Sequence, residues 1–164
     1  MITRLVLALV VALFAGMAWT DPVRADPGEF VPGHLAFQIP PQWTAEGKKA
    51  KLTLVSPGED AFVVLTVLQP GDENALRAQT AQLLAQYLAD MALADSGQRA
   101  TIAGMPGLRF KGTGSSDATS VRFIAAVVTP ERYPPVMLLA YTTQANFTAT
   151  EPVFEAFLTS LKPR

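Results

Sequence analysis

Two segments with few polar residues on either face constrain the fold most. Residues 61–68 are almost continuously apolar and rich in β-branched side chains, and residues 121–128 have the same character. A strand of this kind is stable where both faces of its sheet are covered. The chain is therefore predicted to form a sheet that carries a layer of structure on each side.

Two amphipathic segments can provide these layers. Residues 72–94 are predicted to form a helix that Asp72 caps and Gly97 stops, because apolar residues recur at three- and four-residue steps. The apolar stripe of this helix consists of Leu76, Leu83, Leu84, Tyr87, Leu88 and Met91. Residues 150–161 show the same spacing and predict a second, closing helix.

The remaining periodic segments predict strands, and the prolines of the chain fall between or at the ends of these segments. Consecutive strands joined by short turns are expected to pair antiparallel. The sequence thus predicts an α+β fold, a single antiparallel β-sheet of about seven strands sandwiched between two helices, in the order βββαββββα. The predicted strands are residues 34–39, 50–55, 61–68, 98–103, 108–112, 119–128 and 136–142.

The amino terminus has the pattern of a secretory signal peptide. A short basic start is followed by residues 5–19, which carry no charge and are too few to span a bilayer. Val23 and Ala25 occupy the −3 and −1 positions of a cleavage site, and Ala18 marks an alternative site. We expect cleavage after Ala25 and a periplasmic or secreted bacterial protein with no stable membrane span after cleavage.

The predicted domain organisation follows from that cleavage site. Residues 1–25 form the signal peptide, residues 26–33 an extended segment, and residues 34–164 one domain. Since the chain contains no cysteine, disulfides, thiol nucleophiles and Cys-ligated metals are excluded. The net charge of −1 argues against a nucleic-acid partner, which usually requires a basic surplus.

Catalytic signals are weak. His34 is the only imidazole and lies at the start of a predicted strand, so no catalytic, cofactor-binding or metal-ligating residue is predicted. Three acidic pairs have structural interpretations. Glu59 with Asp60 is interpreted as a turn, Asp72 with Glu73 as a helix start, and Glu151 with Glu155 as a solvated helix face.

Five residues are candidates for binding a partner. Trp43 follows the first predicted strand, where it either closes one end of the core or contacts a partner. Tyr133 lies in a loop stiffened by prolines, and tyrosine is frequent among interface hot spots. Arg109, Lys111 and Arg122 are expected to form a small basic strip across a hairpin, or else a solvated margin of the sheet.

The order of these segments resembles the PsbP-like and DcrB-like group of small α/β/α domains. The matching features are the Phe-Gln-Ile-Pro motif at residues 37–40, Trp43, the turn at residues 104–107, and the closing helix with Phe154 and Phe157. The resemblance covers roughly residues 34–162. Members of the group include extrinsic photosystem subunits, a nuclear-import factor, bacterial envelope proteins and toxin chaperones, which bind other proteins without catalysis.

The resemblance implies a non-enzymatic protein-binding module with no cofactor. Together with the predicted signal peptide, it leads us to expect an exported protein of the bacterial envelope that binds a protein partner there, with an immunity, inhibitor-type or accessory role. Two alternatives belong to other classes. One is an enzyme that acts through carboxylates on cell-wall or small-molecule substrates. The other is a carrier of small apolar ligands, with Leu83, Tyr87 and Met91 lining a cavity between helix and sheet.

Overall fold

The computed structural model describes residues 26–48 and 50–164, so the predicted signal peptide and its cleavage site lie outside the described residues. A 3-10 turn at Val31–Gly33 follows the first strand. The elements in chain order are β1 Asp26–Phe30, β2 Leu35–Ile39, β3 Thr44–Lys48, β4 Lys51–Val55, β5 Ala61–Val67, α1 Glu73–Tyr87, β6 Ala89–Ile102, β7 Met105–Ser116, β8 Thr119–Val128, β9 Val136–Thr143, α2 Phe147–Ser160 and β10 Lys162–Pro163.

A seven-stranded antiparallel sheet in the order β3-β4-β5-β9-β8-β7-β6 forms the centre of the fold. In β8, Phe123 and Ala125 pack on the side of α1, whereas Ile124 and Ala126 pack on the side of α2. All four residues are buried, as expected for a strand covered on both faces. The predicted α+β fold with two helices and a large antiparallel sheet is confirmed.

The prediction of a single sheet is wrong. The first predicted strand is β2, which pairs with β1 and β10 in a separate three-stranded sheet. Phe37 of β2 packs against Phe157 of α2, with ring centroids 5.2 Å apart. Pro40 and Pro41 end β2, and Gln42 turns the chain with φ of 66° before β3 begins. The small sheet thus adds to the α2 layer, and β3 takes the edge of the main sheet.

The predicted end of the first helix is also wrong. Asp72 caps α1 as expected, since its carboxylate accepts a hydrogen bond of 2.8 Å from the Ala75 amide. The helix ends at Tyr87, however, and the chain continues as β6 along β7. Gly97, predicted to stop the helix, lies inside β6 at a register shift with φ of 87°. Met91 is therefore a strand residue, because pairing with β7 outweighs the local helical pattern.

The closing helix is confirmed and begins earlier than predicted, at Phe147. Its buried aromatic residues Phe147, Phe154 and Phe157 face the main sheet and β2. The preceding Asn146 donates a side-chain hydrogen bond of 2.6 Å to Asp60, which ties the start of α2 to the turn before β5. In the part of the chain that the structure describes, no helix has the length and apolar character needed to cross a membrane.

Candidate functional site

Trp43 occupies the turn between the small sheet and the main sheet. Its amide donates a hydrogen bond of 3.1 Å to the carbonyl of Pro40, which closes the turn. The indole is half-buried and meets the Phe154 ring edge-on, with centroids 6.4 Å apart and the planes at 80°. Edge-to-face pairs of this kind are favourable contacts. Trp43 therefore packs on the core and still presents part of its surface to solvent.

An apolar groove of about 290 Å³ lies between the end of β2 and α2, next to the turn that carries Trp43. Proline residues from both elements form its walls, and proline has a fixed φ angle, so these walls are rigid before any partner arrives. The groove is open at the protein surface, since several of its residues are exposed. The lining residues are Gln38, Pro40, Pro41, Pro152, Val153, Ala156 and Phe157.

The basic residues on β7 and β8 lie along α2. Arg109 and Lys111 are paired across the strands with Ala126 and Ile124, so they share the sheet face that α2 covers. Arg109 forms an ion pair with Glu155 of α2.

The Lys111 ammonium lies 3.2 Å from a carboxylate oxygen of Glu151. Arg122 lies on the same face, with its guanidinium 4.3 Å from the centroid of the Phe147 ring. The predicted strip thus borders α2, and its charge is partly balanced by that helix.

Glu151 and Glu155 were expected to form a solvated helix face, and this interpretation is wrong. Both carboxylates are half-buried and turn towards the basic residues of β7. The reason is that α2 packs on β9 and β8, so its two carboxylates reach the basic side chains of the adjacent strand β7. The acidic pair and the basic strip, which the sequence presents as unrelated features, are therefore one set of partners.

Tyr133 stands at the other end of the main sheet from Trp43. Trp43 directly precedes Thr44, which pairs with Val55 at the end of β4. Tyr133 comes shortly before the start of β9, and that start pairs with Val67 at the far end of β5. The Tyr133 ring stacks on His34, with centroids 3.9 Å apart and the planes within 11°. The two aromatic candidates therefore belong to separate surfaces.

A second concavity, of about 540 Å³, lies where the start of α1 meets the end of β6. Glu73 in its wall accepts hydrogen bonds of 2.5 Å from both Arg77 and Arg99. These bonds, from Arg77 first and Arg99 second, lower the pKa of Glu73. A carboxylate held ionised in this way is a poor proton donor. Sequence reasoning missed this network because Arg99 was placed in a strand with no known neighbour.

Aromatic residues also line the α1 side of the sheet beyond the helix. Phe62 stacks on Tyr141 across β5 and β9, with centroids 5.1 Å apart. Burial raises the pKa of Tyr141, and a hydrogen bond with Ser116 acts in the opposite direction. The Lys51 ammonium lies 5.4 Å from the centroid of the Tyr87 ring. Tyr87, predicted to line a carrier cavity, therefore sits at the margin of the α1 core, where this lysine covers it.

Comparison with known proteins identifies the fold. No family model matches the chain, and no curated protein matches it in sequence. Among solved structures it is similar to the cyanobacterial PsbP protein CyanoP from Synechocystis, with a TM-score of 0.66 and 10% identity over 92% of this chain and 99% of that one.

Two further solved structures are similar. The Ran-binding protein Mog1p of Saccharomyces cerevisiae has a TM-score of 0.60 and 10% identity over 87% of this chain and 96% of that one. LpqN of Mycobacterium tuberculosis, which is involved in cell envelope biogenesis, has a TM-score of 0.52 and 15% identity over 88% of this chain and 86% of that one. The chain has a PsbP-like fold, as its segment order predicted.

Proposed function

We propose that this chain is a non-enzymatic protein-binding module of the bacterial envelope and that it holds its partner at the groove beside Trp43. The observation that carries the proposal is the rigid, apolar, solvent-open groove between β2 and α2. Exposed concave apolar surfaces of this kind are typical of interaction sites. Its volume suits one large apolar side chain of a partner.

The energy available from such a contact is sufficient for recognition. Burying a leucine or phenylalanine side chain contributes about 1.5–3 kcal/mol. That range overlaps the energies of interface hot spots, which lie in preformed pockets that exclude water. Because the prolines leave little conformational freedom to be lost, most of this energy is available for binding.

The comparisons support the class of function at the level of the fold. Mog1p is a Ran-binding protein, and LpqN is involved in cell envelope biogenesis. A shared fold does not identify a partner, so the partner must be recognised by the groove itself. The predicted leader and its cleavage after Ala25 belong to the same proposal and place the domain in the periplasm or outside the cell.

The geometry supports the enzyme and the ligand-carrier alternatives less well than the protein-binding module. The carboxylate of Glu73 in the larger concavity is engaged by two guanidiniums, which lower its pKa and make it a poor general acid. The carrier alternative required Met91 on a helix, and Met91 lies on β6. An immunity or inhibitor role is the sharper form of our proposal, and it requires the partner to be a toxin or a lytic enzyme.

Site-specific photo-crosslinking tests the proposed surface. A benzophenone amino acid is placed at Val153 or Ala156 in the groove and, as a control, at Ala85, which is exposed on the outer side of α1. We expect both groove positions to give the same discrete adduct in cells and Ala85 to give none. Absence of an adduct from the groove, or the same adduct from Ala85, would overturn the proposal.

A further inference from the structure

The two edges of the main sheet differ in how regular they are. The pairing of β6 with β7 contains three register shifts, whereas β3 pairs with β4 without a shift from Thr44 to Lys48. Bulges are a common means of preventing an edge strand from pairing with another chain. All five residues of β3 are exposed. Of the two edges, β3 is therefore the one without a bulge that would interrupt pairing with a further strand.

Two opposite charges on β3 lie on either side of a glycine. Glu46 and Lys48 flank Gly47 and point to the same face of the sheet, because side chains alternate along a strand. Lys48 lies directly opposite Lys51 of β4, and like charges in that position repel each other. Among the residues that the structure describes, neither Glu46 nor Lys48 forms an ion pair. A negative charge on the open side of Lys48 would relieve this repulsion.

We propose that β3 pairs with β3 of a second copy of this chain, antiparallel and with the two-fold axis at Gly47. In that register Glu46 of each subunit lies opposite Lys48 of the partner subunit, so two cross-strand ion pairs form. Gly47 has no side chain to obstruct the axis, and the nearest atom to a Cβ placed there is Leu52 Cδ1 at 3.7 Å. The contact is isologous and closed, as is usual for dimers. It uses the edge of the sheet and does not depend on the groove.

Charge reversal tests this interface with the protein expressed from its full coding sequence. Sedimentation velocity over a concentration series measures the self-association of the wild type, Glu46→Lys and Lys48→Glu. Each variant places like charges opposite each other twice, so we expect at least about tenfold weaker self-association than in the wild type. An equal mixture of the two variants places opposite charges together again and should dimerise as the wild type does.

Lys162→Glu is the matched control, since it changes the net charge as Lys48→Glu does at an exposed position on the small sheet. It should associate as the wild type does. Restoration in the mixture also shows that both variants are folded. A wild type that stays monomeric at every concentration, single variants that associate normally, or a mixture that stays monomeric would each overturn the proposal.

Discussion

Replacing Trp43 with alanine tests whether the core beside the groove depends on this ring. Replacing a fully buried aromatic residue with alanine lowers the free energy of unfolding by about 3–5 kcal/mol. Trp43 is half-buried, and its main partner is the buried ring of Phe154. We therefore expect the free energy of unfolding to fall by about 2 kcal/mol, of which about 0.5–1.5 kcal/mol belongs to the aromatic pair.

Urea denaturation followed by far-UV circular dichroism measures this loss, because the substitution itself removes a fluorophore. The same loss should lower Tm by roughly 5–10 °C. Trp43→Phe is the control, since it keeps an aromatic ring against Phe154, and it should cost less than about 1 kcal/mol. If Trp43→Ala unfolds within about 0.5 kcal/mol of the wild type, the ring does not close the core and the reasoning is refuted.

Two further predictions concern the ion pairs of the helices. Since its partners lower the pKa of Glu73, they contribute stability that is present above the ordinary carboxyl pKa and is lost as pH falls through the folded pKa. Urea titrations across acid pH should therefore show a shallower loss of stability for Glu73→Gln than for the wild type, and equal slopes would contradict this. A double-mutant cycle with Arg109→Met and Glu155→Gln should give a coupling free energy of about 0.5–1 kcal/mol that weakens in high salt. A coupling free energy of zero would mean that this ion pair does not stabilise the packing of α2 on the sheet.

The candidate site was only partly predictable. The sequence indicates Trp43 as a candidate because this aromatic residue lies just after the first predicted strand. The groove beside it was not predicted, since Pro41 and Pro152 are far apart in the chain and meet only after α2 has packed on the small sheet. The pairing of Lys111 with Glu151 was not predicted for the same reason: the sequence predicts the strand and the helix that carry these residues, and it does not show that the two pack together.

The sequence by itself determined which segments are buried and on how many faces. The apolar strands at β5 and β8 required two covering layers, and the spacing of Phe154 and Phe157 identified one helix that covers them. The sequence pattern indicates burial and periodicity because each side chain must match its own environment.

Only the tertiary structure decided which segments are partners. The end of α1 at Tyr87, the transfer of β2 to the small sheet, and the placement of Trp43 and Tyr133 at opposite ends all depend on distant residues. The segment from Ala89 onwards has residues suited to a helix, and it becomes a strand because it pairs with β7 as far as Ile102, with three register shifts along the way. Such pairing energies arise between segments, so no local pattern records them.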